Sequence, residues 1–183
     1  MRGSGWCLWV TGLPGSGKST VARALLEKLG ARGIHAQIVS SDLLRKAVTP
    51  TPKYTEEERD MVYGAIVFAA KLLTQNGVNA IIDATGNRRK YRDHARGEIP
   101  RFMEAYIRCP MEVCVRRESR RREYAHAPKD IYKRAFAGES ATVPGVGVPY
   151  EEPLRPEVVV DSDKMNPDEC AQKTLESLMR LFY

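Results

Sequence analysis

The chain has 183 residues, of which 43% are hydrophobic and 28% are charged, and its formal net charge at pH 7 is +6. This length suits a single domain over residues 1–183 with one core, and it is short for two domains of ordinary size. No apolar run approaches the roughly 18 residues of a membrane helix and no secretory signal is recognisable, so we expect a soluble, cytoplasmic protein. The four cysteines form no Cys-x-x-Cys pair, so we expect neither a zinc site nor a disulfide framework.

Predicted strands alternate with segments of helical periodicity along the chain, which indicates a parallel sheet covered by helices. Thr55-x-x-Glu58 has the spacing of a capping box and predicts the start of a long helix that ends at Asn76. Asn166 and Pro167 predict the start of the last helix. The predicted strands are Cys7–Thr11, Ile34–Ser40, Val78–Asp83, Phe102–Arg108 and Glu157–Asp161.

A phosphate-binding loop follows the first predicted strand. Gly12-x-x-x-x-Gly17-Lys18-Ser19 lies between a strand and a helix, which is the context that the P-loop motif requires. We predict that Lys18 bridges the β- and γ-phosphates of ATP as a catalytic residue, that Ser19 ligates Mg²⁺ and that Thr20 contacts the α-phosphate. The predicted ATP site consists of Gly12, Leu13, Pro14, Gly15, Ser16, Gly17, Lys18, Ser19 and Thr20.

The P-loop and the order of the elements predict the fold of a P-loop NTPase, with three α/β/α layers around a five-stranded parallel sheet. Most of the positive charge falls between Arg88 and Arg134. Nucleic-acid binding is one interpretation of this charge, but no aromatic-interleaved platform accompanies it, so a site for several phosphates is favoured. The arginines late in this segment indicate a closing lid at residues 117–133. The stretch 138–156 is rich in glycine and proline and predicts a functional loop.

Three further stretches resemble the adenylylsulfate kinase family, which phosphorylates the 3′-hydroxyl of adenylyl sulfate with ATP. Residues 127–153, "APKDIYKRAFAGESATVPGVGVPYEEP", are similar to the family's Pro-Lys-Gly-Leu-Tyr-Lys-Lys-Ala-x-Ala-Gly-Glu segment and the Pro-Tyr-Glu-x-Pro that follows it. "RCPMEVCVRRE" at 108–118 resembles its strand–helix junction, and "SSDLLR" at 40–45 stands where the family has Asp-Gly-Asp-Asn-x-Arg. The resemblance implies a kinase of sulfate assimilation that forms 3′-phosphoadenylyl sulfate.

The resemblance also implies roles for particular residues. Asp42 would orient the acceptor hydroxyl, take its proton and assist the metal, while Arg45 and Arg59 would hold the anionic group of the acceptor. The alternatives are that Asp42 only caps a helix and that the two arginines lie on a solvated face. Arg117 would neutralise the moving γ-phosphoryl group. Further implied acceptor contacts are Arg89, Arg92 and Lys129.

The predicted lid also contains the run Arg120-Arg121-Arg122. Two interpretations of this run stay open: the arginines contact ATP, or they form a solvated surface.

The chain departs from the family pattern at the acceptor site. After Arg59 the family reads x-Glu-Asn-Ile-Arg-Arg, whereas residues 60–65 read Asp-Met-Val-Tyr-Gly-Ala and lose polar groups. Where the family stacks the acceptor's adenine between two phenylalanines, this chain has Tyr54 and Val143. Asp83-Ala84-Thr85 also differs from the family pattern. An Asp directly after an apolar strand is typical of a residue that holds Mg²⁺ through water. Similar segments occur in polynucleotide and tRNA-linked kinases.

We therefore predict an ATP- and Mg²⁺-dependent kinase that acts on a small anionic acceptor, with adenylyl sulfate as the leading acceptor. Another nucleotide derivative or sugar, a nucleic-acid end, and a nucleotide-binding regulator without an acceptor are the alternatives. Of these partners, nucleic acid is not favoured and no membrane is expected. A homodimer stays open, since the sequence does not specify an oligomeric state.

Overall fold

The computed structural model describes residues 4–120 and 130–183. Among these residues it contains one five-stranded sheet, all of whose paired strands are parallel. The strands are β1 (Cys7–Thr11), β2 (Ala36–Ser40), β3 (Asn79–Asp83), β4 (Phe102–Arg108) and β5 (Val158–Asp161). Their order in the sheet is β2-β3-β1-β4-β5. This confirms the predicted sheet, and the predicted strand starts differ from the observed ones by at most two residues.

Helices cover both faces of the sheet because the side chains of β1 alternate between two buried clusters. Leu8 and Val10 pack with α1 (Lys18–Gly30) and α7 (Pro167–Phe182) in one cluster, and Cys7 and Trp9 pack with α3 (Glu56–Gln75) and α4 (Arg89–Glu98) in the other. The described residues therefore form the three predicted layers. The helices are α1 (Lys18–Gly30), α2 (Ser41–Val48), α3 (Glu56–Gln75), α4 (Arg89–Glu98), α5 (Met111–Ser119), α6 (Ile131–Phe136) and α7 (Pro167–Phe182).

Two helix starts carry the predicted caps. The Thr55 hydroxyl accepts a hydrogen bond from the Glu58 N–H at 3.2 Å, and Asn166 forms a capping box with Glu169. In the part of the chain that the structure describes, no helix is both long and apolar enough to cross a membrane.

A third, smaller cluster lies beside the sheet and connects α5, α6 and the loop before β5 to the P-loop. Cys114, Tyr132 and Val143 are buried in it, and Leu13 of the P-loop packs against it. The Tyr132 hydroxyl also donates a hydrogen bond to the Pro14 carbonyl at 2.8 Å. The P-loop is therefore supported from outside the sheet.

The strand order brings the carboxyl ends of three strands together. Central β1 pairs with β3 on one side and β4 on the other, and the register sets both Val10 and Ser40 opposite Asp83. In open parallel sheets, ligands bind beyond the carboxyl ends of the strands, where the order of strands reverses. The segments after β1, β2 and β3 therefore converge on one cleft.

Candidate active site

The P-loop connects β1 to α1 in a conformation that requires glycine. Gly12 has φ of 149°, and a side chain there would bring its Cβ within 2.5 Å of the Ile107 carbonyl oxygen. Gly15 has φ of 82° and lies directly against the backbone of Cys114. The Ser16 hydroxyl is buried without a hydrogen-bond partner among the described residues. An unpaired buried hydroxyl in a glycine-rich loop that leads into the N-terminus of α1 fits an anionic ligand.

Lys18 lies over this loop. Its Nζ donates to the carbonyl oxygens of Gly12 and Leu13, each at 3.0 Å. The ammonium group is therefore held next to the phosphate-binding backbone, where the charge of a nucleotide phosphate would attract it.

Asp83 ends β3 directly beside the start of α1. Burial raises the pKa of its carboxyl, while a hydrogen bond with Ser19 and the charge of Lys18 act in the opposite direction. Asp83 is 9% exposed and lines the same cleft as Ser19 and Asp42. The structure thus brings together the three residues that the sequence predicts near the metal.

Asp42 lies in the first turn of α2 and does not cap that helix. Ser40 is the N-cap residue, and its hydroxyl accepts from the Leu43 N–H at 3.5 Å. The interpretation of Asp42 as only a capping residue is therefore wrong. Its side chain is half-buried in the cleft that the P-loop opens into.

Arg45 and Arg59 are buried, at 7% and 6% exposure, so the alternative of a solvated face is wrong for both. Arg45 Nη1 pairs with Glu58 Oε1 at 2.5 Å, and its guanidinium lies 4.7 Å from the centre of the Tyr54 ring. One face of the Tyr54 ring is therefore covered by a cation.

The backbone of Tyr54 is held in a left-handed conformation, with φ of 57°. Glu58 Oε2 accepts from the N–H groups of Lys53 at 2.6 Å and Tyr54 at 3.0 Å. Arg59 Nε donates to the Tyr54 carbonyl at 3.2 Å. These bonds to charged groups stabilise a conformation that a tyrosine rarely adopts, and they fix the aromatic ring in the cleft wall.

Arg59 also connects two walls of the cleft. Its Nη2 donates to the Thr142 carbonyl at 2.6 Å, and its Nη1 donates to Asn87 Oδ1 at 3.4 Å. Thr142 belongs to the predicted functional loop 138–156. Sequence reasoning missed Thr142 and Asn87 because neither carries a charge or a motif signal.

Arg92 is not part of the cleft, which corrects the interpretation of this residue as an acceptor contact. It is 1% exposed, and its Nε pairs at 2.7 Å with Oε1 of Glu104, which belongs to β4. Its Nη2 donates to the Glu151 carbonyl at 2.5 Å. Arg89 likewise lies outside the cleft lining, where its side chain donates to the Glu152 carbonyl at 3.2 Å. Both arginines hold the end of loop 138–156.

Arg117 lies beside the P-loop, where its Nη1 is 3.5 Å from the Ser16 carbonyl oxygen. Its Nη2 donates to the Ser162 carbonyl at 2.7 Å and its Nη1 donates to the Ser162 hydroxyl at 3.2 Å. The Ser162 hydroxyl in turn donates to the Ser16 carbonyl at 2.7 Å. Ser162, which follows β5 and was not predicted, therefore positions Arg117 beside the P-loop. Lys129 and the pair at 121–122 lie outside the described residues.

One cleft of about 1260 Å³ contains the P-loop and the acceptor-side residues. Ligand pockets for a single small molecule usually measure about 300–1,000 Å³, so this cleft has room for two substrates. Its lining also includes Tyr63 and Thr85, which the sequence did not single out as site residues. A P-loop that faces a carboxylate and buried arginines across one cleft defines a P-loop kinase.

Comparisons with known proteins identify the family. The family model described as adenylylsulphate kinase matches residues 4–161. A probable adenylyl-sulfate kinase of Pyrococcus abyssi is 38% identical over 179 residues, which cover 98% of each chain. An adenylyl-sulfate kinase of Rippkaea orientalis is 35% identical over 183 residues, which cover 100% of this chain and 96% of that one. The chain therefore belongs to the adenylylsulphate kinase family.

A solved structure agrees with this assignment. The APS kinase of Mycobacterium tuberculosis, in complex with AMPPNP and APS, matches with a TM-score of 0.85 at 29% identity. The match covers 97% of this chain and 99% of that one. A gluconokinase from Sinorhizobium meliloti, with a TM-score of 0.61 at 22% identity, shares the fold alone.

Proposed function

We propose that this protein transfers the γ-phosphoryl group of ATP to the 3′-hydroxyl of adenylyl sulfate, forming 3′-phosphoadenylyl sulfate and ADP. The observation that carries the proposal is the single cleft in which Lys18 of the P-loop and Asp42 both lie, with buried Arg45 and Arg59 in its wall. Family membership supports the choice of reaction, because the relatives from Pyrococcus abyssi and Rippkaea orientalis are named as adenylyl-sulfate kinases.

ATP would bind on the P-loop, where the unpaired Ser16 hydroxyl and the glycine backbone fit a phosphate. Mg²⁺ would be held by the Ser19 hydroxyl and, through water, by Asp42 and Asp83. No cluster of three or more His, Cys, Asp or Glu residues exists within 4–120 and 130–183 that could hold a metal alone, and Mg²⁺ characteristically shares its ligands between one or two carboxylates and substrate phosphates. When bound, the metal supplies charge that stabilises the transferring phosphoryl group.

Adenylyl sulfate would bind between α2, Tyr54 and loop 138–156. The guanidinium groups of Arg45 and Arg59 lie 4.7 Å and 6.0 Å from the centre of the Tyr54 ring, and the acceptor's adenine would pack against this ring beside them. Each guanidinium has five N–H donors, and Arg59 uses three in bonds within the described part of the chain, so it retains donors for an anionic group.

Asp42 would accept the proton of the 3′-hydroxyl as the hydroxyl oxygen attacks the γ-phosphorus. The bond between that phosphorus and the β–γ bridging oxygen breaks, and ADP leaves with the bond electrons. Lys18 stabilises charge on the β- and γ-phosphates, and Arg117 contacts the nucleotide from the side of Ser162. The roles of these residues are part of the proposal.

An acceptor screen tests the proposal. ATP consumption is measured with adenylyl sulfate, other anionic alcohols, sugar acids, nucleotides and oligonucleotides with a free end. We expect the highest kcat/KM with adenylyl sulfate. Turnover of another acceptor without turnover of adenylyl sulfate would contradict the proposed substrate. Slow ATP hydrolysis that no acceptor stimulates would instead favour a regulator.

A further inference from the structure

The side chain of Tyr63 is fixed in the wall of the cleft. It belongs to α3, is 4% exposed and packs between two other aromatic rings. Its ring centre lies 4.3 Å from that of Tyr91 and 6.1 Å from that of Trp9. This packing leaves the ring no alternative orientation, because rotation would displace neighbours in a close-packed core.

The Tyr63 hydroxyl already accepts one hydrogen bond, from the Gly86 N–H at 3.1 Å. The Gly86 peptide is itself fixed, because Gly86 has φ of 51° and a Cβ there would lie 2.8 Å from Trp9 Cζ2. Its carbonyl accepts from Arg92 Nη1. Since the N–H occupies the phenolic oxygen from one side, the hydroxyl proton points elsewhere. Within residues 4–120 and 130–183 that proton has no hydrogen-bond acceptor.

Tyr63 lines the cleft together with Asp83 and Thr85. The charged groups that act on its hydroxyl are Arg59 and Arg45, with the Asp42 carboxylate acting in the opposite direction. A buried hydroxyl donor without a partner is costly unless a ligand satisfies it. An anionic oxygen satisfies such a donor best, and the neighbouring arginines would attract the same anion.

Tyr63 follows Arg59 by about one turn of α3, and both residues line the cleft. Val62 is fully buried in the cluster of α3, α4 and the sheet, so it leaves no polar group at that position. Tyr63 places a hydroxyl donor one residue further along, at the cleft surface.

We propose that the Tyr63 hydroxyl donates a hydrogen bond to an anionic oxygen of the acceptor, beside Arg45 and Arg59, and thereby contributes to acceptor specificity. This inference rests on the proposed function. It assigns to Tyr63 a contact that the predicted acceptor set did not contain.

The test compares Tyr63→Phe with Tyr91→Phe. Both variants remove one hydroxyl from the same aromatic stack, but the Tyr91 hydroxyl donates to Asp60 Oδ1 at 2.8 Å, outside the cleft lining. With saturating ATP, Tyr63→Phe should raise the KM for adenylyl sulfate about tenfold, which corresponds to about 1.4 kcal/mol. The KM for ATP should stay within about twofold of wild type, and Tyr91→Phe should leave both KM values unchanged.

A purely structural role of the Tyr63 hydroxyl makes a different prediction. If it only supports the Gly86 peptide, Tyr63→Phe lowers the melting temperature and leaves the KM for adenylyl sulfate unchanged, or raises both KM values together. Either result overturns the proposed contact. Wild-type turnover of adenylyl sulfate with an unchanged KM in Tyr63→Phe refutes this inference alone. Absence of turnover in the wild type refutes the proposed function and this inference with it.

Discussion

Replacing Glu58 with alanine removes the carboxylate that holds the acceptor wall together. Glu58 is 8% exposed and pairs with Arg45 at 2.5 Å, and its other oxygen accepts from the N–H groups of Lys53 and Tyr54. The variant leaves the Arg45 charge buried without its carboxylate and the strained backbone of Tyr54 without two hydrogen bonds. Breaking one side of a buried ion pair costs about 3–5 kcal/mol.

The expected result is a large loss of stability together with weaker acceptor binding. For a chain of this length, 1 kcal/mol corresponds to about 2–4 °C, so the melting temperature should fall by about 10 °C. The KM for adenylyl sulfate should rise because the Tyr54 ring loses its fixed position. The assays are urea unfolding, thermal melting and steady-state kinetics at saturating ATP.

Glu56→Ala is the matched control, because Glu56 lies two residues earlier in the same helix and forms an exposed pair with Lys90 at 3.3 Å. An exposed pair contributes about 0–1 kcal/mol, so this variant should unfold almost like the wild type. If Glu58→Ala costs no more than Glu56→Ala, the buried network does not stabilise the acceptor wall and the reasoning is refuted.

Three other substitutions test separate parts of the site. Asp42→Asn should lower kcat by about 10²-fold or more with little change in ATP affinity or melting temperature, because it removes the proposed base and no cap; full kcat in the variant would exclude that role. Asp83→Asn should raise the Mg²⁺ concentration for half-maximal nucleotide binding about tenfold, measured by calorimetric titration, and an unchanged Mg²⁺ dependence would remove Asp83 from the metal site. Arg92→Ala should destabilise the fold by about 3–5 kcal/mol in urea, because it leaves the buried Glu104 with only its longer contact to Arg96 at 3.6 Å, and stability equal to wild type would contradict the buried pair.

Local sequence signals were sufficient for the elements of the fold. The apolar runs at Cys7–Thr11 and Phe102–Arg108 are strands with the predicted bounds, and the caps at Thr55 and Asn166 begin helices as expected. These signals depend on neighbouring residues only. The strand order could not be predicted from them, because it depends on which runs pair across the chain.

The position of a site residue could be predicted where nearby residues in the sequence determine it, and not where a partner distant in the sequence does. Asp42 reaches the cleft because it follows a strand whose end is set by the sheet. Arg92 fits the family spacing, but its partner Glu104 comes from a different strand, and no local pattern reveals that pairing. The sequence predicts a loss of polar groups over residues 60–65, which include Tyr63. The position of the Tyr63 hydroxyl depends on its hydrogen bond from the Gly86 N–H, which no local pattern reveals.

Val143 shows why the aromatic sandwich of the family could not be judged from the sequence. The residue is 6% exposed and packs with Tyr132 and Cys114 in the third cluster while it also lines the cleft. A larger side chain there would have to fit into that cluster as well as face the acceptor. Packing on both sides of a residue is a tertiary property.

The most direct test of the central claim follows the phosphoryl group itself. The wild type and Lys18→Ala are incubated with γ-labelled ATP, Mg²⁺ and adenylyl sulfate, and the position of the label in the product is determined. We predict one labelled phosphate on the 3′-hydroxyl of adenylyl sulfate for each ATP consumed by the wild type, and none with Lys18→Ala. Label released only as free phosphate, or product formation that Lys18→Ala leaves undiminished, would contradict phosphoryl transfer in this cleft.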